Sequence, residues 1–351
     1  LSSVYACKQD DDEPEFDTAQ FSRLYVSFQE YSTGNTTSDT TIRVIYPADS
    51  STFSYSLNHI SPAKGGSTIY YHPYIKSVFL ASDNSAGLND SSLFRMTVGK
   101  LGVLTNNGQM TNMNFQRIRG LSYHKEAENL YMTNAVPTKS SIFVINRPSG
   151  KSGNMKITKR LVSNNTLFWG ATYAHSNLYV VKAVSNEPGG IYVFNDIVKP
   201  ARSTSISDTL AVLEPSKTLE ITGTENMRGM SYDTVKNILA VTDFPNGAIE
   251  GQGRILLFEN FSSLAEGTGP IAPTRIITGA TTGLHQPVSV ALDTRATAVY
   301  LYVADQASKK VSRFLISDNG NVAPTKTVVA PNNRTPISIS LDARDKSTIG
   351  L

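Results

Sequence analysis

Apolar and polar residues alternate in short runs along almost the whole chain. The runs are four to six residues long and rich in Val, Ile, Tyr, Phe and Thr, and Gly, Asn, Asp and Pro separate them. Runs so short and so rich in strand-forming residues, bounded by turn residues, predict strand, turn, strand throughout. No stretch makes a convincing amphipathic helix, the Leu-Ala-Glu at 264–266 being too short to count.

The runs recur in order, and self-similarity at a fixed spacing is the mark of a repeat architecture. Arg119-Gly-Leu-Ser-Tyr-His124 and Arg228-Gly-Met-Ser-Tyr-Asp233 nearly superpose. Each leads to a second run, Leu130-Tyr-Met-Thr-Asn134 or Leu239-Ala-Val-Thr-Asp243, and then to a third, Ile142-Phe-Val-Ile145 or Ile255-Leu-Leu-Phe258. The triplet returns from Gly170, from Val290 and, more loosely, from Ile69, and a weaker fourth run usually follows, as at Thr218-Leu-Glu-Ile221. Four antiparallel strands repeating every roughly 55 residues predict an all-β fold, a β-propeller. Residues 336–342 read as a first strand, whereas 24–28 and 42–46 read as a second and third strand lacking a first. Joining them makes one blade from both ends of the sequence and leaves no open sheet edge. First strands near 69, 121, 171, 230, 290 and 339 then give a six-bladed β-propeller, four antiparallel strands per blade, closed by pairing of N- and C-terminal segments.

Composition alters this picture in three ways. The 351 residues that would ordinarily suggest two domains become one ring, residues 21–351, preceded by an acidic tether at 1–20. The net charge of +3 averages the two: residues 1–20 hold six acids and one base, which leaves 31 basic against 23 acidic side chains in the ring, or +8. Neither value points to nucleic acid as the main partner. The single cysteine, Cys7, excludes an internal disulfide framework, thiolate zinc clusters and CxxC redox chemistry.

Two resemblances go further. Gly-apolar-Ser/Ala-apolar-Asp, then Leu-Tyr-Val-Ala-Asp, then an apolar quartet, is similar to the NHL-repeat family of propellers, best at 286–316 and 228–258. Members of that family serve as ligand-binding, scaffolding and occasionally enzymatic modules. Val4-Tyr5-Ala6-Cys7 with Lys8-Gln9-Asp10-Asp11-Asp12-Glu13 resembles the signal end and surface-export run of Bacteroidetes outer-membrane lipoproteins. That resemblance implies lipid on Cys7, removal of residues 1–6 and an outer-membrane location facing the extracellular side. The plainer alternative is a lone cysteine beside a solvated acidic tail. Asp17-Thr18-Ala19 and Asp208-Thr209-Leu210 resemble the O-glycosylation signal of the same bacteria, and Asn-x-Ser/Thr occurs at Asn35, Asn89, Asn164, Asn260 and Asn333.

Propeller topology makes the residue beginning each innermost strand converge on one mouth of the central channel. Those positions are Ser67, Arg119, Trp169, Arg228, Val288 and Ile337, with long polar loops at 31–41, 83–92 and 244–253 on the same face. Arg119, Trp169 and Arg228 form the candidate ligand site: arginine offers a planar fork to a carboxylate or sulfate, and tryptophan stacks on a sugar ring or guanidinium. Against this stands a structural role, with Trp169 packed between blades and the arginines bonded to loop carbonyls. His72 and His124 fall where Asp233, Asp293 and Asp342 stand in other blades, a place for turn caps rather than a metal ring. Asp83, Asn134, Asp243 and Asp305, ending second strands, read as loop anchors, and His59, His175 and His285 fall in loops with no specific partner. The inner strands lack the Glu, Asn and Asp of calcium-holding lactonase propellers, so neither a metal nor another cofactor is expected. The reading is a non-enzymatic surface propeller that binds a protein or glycan. The alternatives are a channel-metal hydrolase or lyase of lactonase type and a structural accessory subunit of an outer-membrane complex.

Overall fold

The computed structural model describes residues 21–345 apart from 32–40, 85–88, 100–101, 137–138, 157–158, 165, 184–187, 196, 198–209 and 213–214. Cys7, the tether and the Asp-Thr matches at 17–19 and 208–210 thus lie outside the described residues or at their margin.

The chain forms a six-bladed β-propeller. Blade one comprises Gly66–His72, Ser77–Ser82, Ser92–Val98 and Leu104–Thr111; blade two comprises Ile118–His124, Asn129–Asn134, Lys139–Asn146 and Lys159–Asn164. Blade three comprises Leu167–Ala174, Asn177–Ala183, Gly190–Asn195 and Lys217–Glu220; blade four comprises Met230–Asp233, Ile238–Asp243, Arg254–Glu259 and Arg275–Ile277. Blade five comprises Pro287–Leu292, Tyr300–Asp305, Lys310–Leu315 and Lys326–Val329. Blade six takes its first strand from Pro336–Arg344 and the rest from Phe21–Phe28, Ile42–Ile45 and Tyr55–His59. The closing pair is antiparallel, Phe21 opposite Arg344 and Phe28 opposite Pro336. All six first strands run from a leading face, where Ser67 and Arg119 stand, to a trailing face, where His72 and Asp342 stand.

The blades hold together through their faces. Six apolar clusters each draw on two neighbouring blades, so alternate residues of the inner strands are buried against one neighbour or the other, whereas outer strands such as Lys326–Val329 are largely exposed. Glycines after the leading residues set the approach: a Cβ on Gly120 would stand 2.5 Å from the Trp169 carbonyl, on Gly170 2.7 Å from the Arg228 carbonyl, and on Gly229 2.6 Å from Ser289 Cα. Any other residue there would push adjoining inner strands apart.

Two features depart from the sequence reading. Gly153–Asn154 pairs in parallel with Leu104–Thr111, and Leu210–Val212 with Lys159–Asn164, so two sheets carry a short fifth strand. Each comes from the third-to-fourth-strand connection of the next blade. Single parallel bridges, Ile221 to Ile271 and Ile277 to Gly320, repeat the arrangement at the next two interfaces. A six-residue helix, Phe261–Glu266, forms where none is expected. Tertiary contacts hold it: Phe261 is buried between blades three and four, Asn237 Oδ1 accepts the Ser262 N–H, and Lys217 Nζ donates to the carbonyls of Ala265 and Glu266.

Candidate functional site

The six inner strands enclose a channel cavity of about 370 Å³. Each inner strand turns one edge of backbone toward the channel, and the adjacent blade satisfies much of it. The hydroxyls of Ser122, Ser231, Ser289, Ser338, Ser340 and Tyr70 accept backbone N–H from Tyr173, Leu292, Ile339, Ile69, Tyr71 and Tyr123, at 2.8–3.1 Å. The serines of the repeat motif are therefore staples between blades.

At the leading mouth the structure brings together the three residues singled out from the sequence. The Arg119 guanidinium lies 5.6 Å from the Trp169 ring centre and that of Arg228 lies 4.3 Å from it, two cations on one indole. Arg119 and Trp169 line the cavity, whereas Arg228 is not among its lining residues and covers the indole instead. Arg119 donates to Ser67 Oγ and, at 3.2 Å, to Asp83, while its buried Nε–H has no hydrogen-bond partner among the described residues. Among the described residues Arg228 donates to neutral acceptors only, the Met227 carbonyl at 2.9 Å and Asn226 Oδ1 at 3.0 Å. Burial pushes the Arg228 guanidinium down to about 10; Asp243 resists the fall and the like charge of Arg119 adds to it. Burial lowers Arg119 as well, with Asp83 opposing. The mouth is thus a cationic site whose charges carry a desolvation cost that an arriving anion would offset.

The acids and amides ending second strands hold the turns that present these residues. Asn134 Oδ1 accepts the N–H of Gln116 and Arg117, just before Arg119, and Asp243 Oδ1 accepts those of Glu225 and Asn226, just before Arg228. Asp305 accepts from His285, Gln286, Ala307 and Ser308. Asp83 differs, since its carboxylate serves Arg119 directly.

The trailing face shows what sequence reasoning missed. Each of three consecutive blades packs a histidine against the tyrosine of the next: His72 edge-to-face with Tyr123 at 4.8 Å, His124 stacked on Tyr173 at 4.0 Å, and His175 tilted against Tyr232 at 5.9 Å. His72 also caps its turn, Nδ1 accepting the Tyr74 N–H, whereas His124 meets Glu126 at 3.1 Å. The repeat-position tyrosines were the available signal. Elsewhere on that face acids clasp the following turn: Asp233 with Lys236, Asp293 with Arg295, and Asp342 with Arg344. Among the described residues no group of three or more His, Cys, Asp or Glu side chains converges as a metal site.

No family model matches the chain, and no curated protein matches it. Among solved structures, a chain in the crystal structure of a nidogen/laminin complex superposes with a TM-score of 0.56 at 14% identity, over 91% of this chain and 98% of that one. At that identity the likeness is one of fold.

Proposed function

We propose that the protein is a non-enzymatic binding propeller of the NHL type, held at a bacterial outer membrane through lipid on Cys7, which takes an anionic group of a protein or glycan partner at its leading mouth. The observation that carries the reading is the stack of Arg119 and Arg228 on Trp169 beside the cavity. Arg119 contributes the donors, Trp169 the plane, and Arg228 a second positive charge that also fixes the indole. The structurally similar chain was solved within a complex of two proteins, which agrees with a ring that engages a partner. The channel-metal hydrolase alternative finds no converging ligand set among the described residues.

Trp169 is the sole tryptophan, so its emission reports on the mouth alone. Titration with sulfate, glucuronate and an acidic peptide is expected to shift that emission saturably for at least one of them. Arg119→Gln should weaken the response about tenfold or more, as loss of a charged hydrogen bond does. No response to any anion would overturn the mouth as the binding site.

A further inference from the structure

We infer that the group taken at the leading mouth is an aliphatic carboxylate, one whose neighbouring carbon bears a branched apolar chain, as at a polypeptide end in leucine or valine. This rests on the anion-binding reading above and adds the chemistry of the opposite wall. In a ring of six, blades three apart face each other, so Arg119 of blade two stands across from Val288 of blade five, and Trp169 of blade three across from Ile337 of blade six. Val288 and Ile337 line the cavity and pack with Phe244 and Ala248 into a separate apolar cluster.

That cluster exists because the segment 244–253 folds over this side of the mouth. His285 Nε2 donates to the Ala248 carbonyl at 2.7 Å, and the N–H groups of Gly251 and Gly253 donate to the Leu284 carbonyl. The mouth is therefore two-sided, with cations and an indole facing aliphatic side chains. A sugar acid would set hydroxyls against Val288 and Ile337, where they would lose hydrogen bonds to water without replacement. An aliphatic carboxylate meets both walls: its oxygens satisfy the unpartnered Arg119 Nε–H, and its branch covers the apolar side. At about 370 Å³ the cavity is near the small end of ligand pockets, with room for one terminal residue rather than a loop.

The test uses the same tryptophan emission, with four probes on the whole protein: acetyl-triglycyl-leucine with its free carboxylate, the same peptide amidated, glucuronate and isovalerate. The free-acid peptide should bind at least tenfold tighter than its amide and than glucuronate. Ile337→Thr, checked for an unchanged melting temperature, should weaken the leucine peptide about tenfold and leave glucuronate unaffected. Isovalerate bound more tightly than the peptide would support the aliphatic carboxylate and make a free acid its source; the reverse order would support it with a polypeptide end as the source. A shift with glucuronate but none with the peptide or isovalerate would overturn this inference and leave the anion site standing. Silence toward all of the carboxylates and sulfate would overturn both.

Discussion

A single side chain can tie this ring to pH. Burial, with Lys125 adding and Glu126 opposing, lowers the His72 imidazole from its ordinary 6.5 to about 4, and burial lowers His124 too. The folded state therefore prefers neutral His72, so its contribution is complete above pH 6.5 and is lost as pH falls from about 6.5 to about 4. Urea unfolding at pH 7.5 and at pH 4.5 should differ by up to about 3 kcal/mol from this residue, and His72→Asn should flatten the difference. An unchanged slope in His72→Asn would show that the imidazole stays protonatable in the fold. The sequence marked His72 as a turn cap because it shares a repeat position with Asp233 and Asp293, and the Tyr74 N–H bears that out. It did not mark the edge-to-face contact with Tyr123, since that contact joins blades 51 positions apart along the chain and leaves no local spacing to read. The Arg119, Trp169 and Arg228 positions were legible because each precedes a repeat glycine. The withdrawal of Arg228 behind the indole was not, because it depends on which acceptors the neighbouring turn offers.

At the scale of the strand and its turn, the acid or amide that ends or directly follows the second strand in four blades, Asp83, Asn134, Asp243 or Asp305, sets the leading face. Asp305 accepts four backbone N–H groups, two before blade five and two in the turn after its own strand. Asp305→Ala should cost about 3 kcal/mol, because several donors lose a charged acceptor at once, whereas Asp305→Asn should retain most of the stability. Chemical denaturation of the two variants decides it; equal losses would mean that the charge, not the cap, matters. The repeated acid was visible in the sequence, and its partners follow from propeller topology. The parallel additions at Gly153–Asn154 and Leu210–Val212 were not visible, because two or three residues carry no periodicity. They nonetheless shield outer edges that would otherwise invite another strand. The helix Phe261–Glu266 escaped notice for a similar reason: a helix so short draws its stability from Lys217 and Asn237 rather than from its own composition.

For the molecule as a whole, the blade number and the closure by both ends were legible because short apolar runs and turn residues recur in the same order around six first strands, and because an orphan first strand matched an orphan second and third. The proposed membrane anchor is tested at this scale too. If Cys7 bears lipid, the protein should sediment with the outer membrane and Cys7→Ala should release it, folded, into the soluble fraction. Release of neither form, or of both, would remove the anchor from the proposal. The register of the closing pair, Phe21 with Arg344 and Phe28 with Pro336, puts Phe21 on the trailing face, across the ring from Trp169. The mouth lined by Arg119 and Trp169 thus opens on the face opposite the one at which Phe21 enters the ring, so a partner seated there would leave the proposed anchor's side of the ring uncovered.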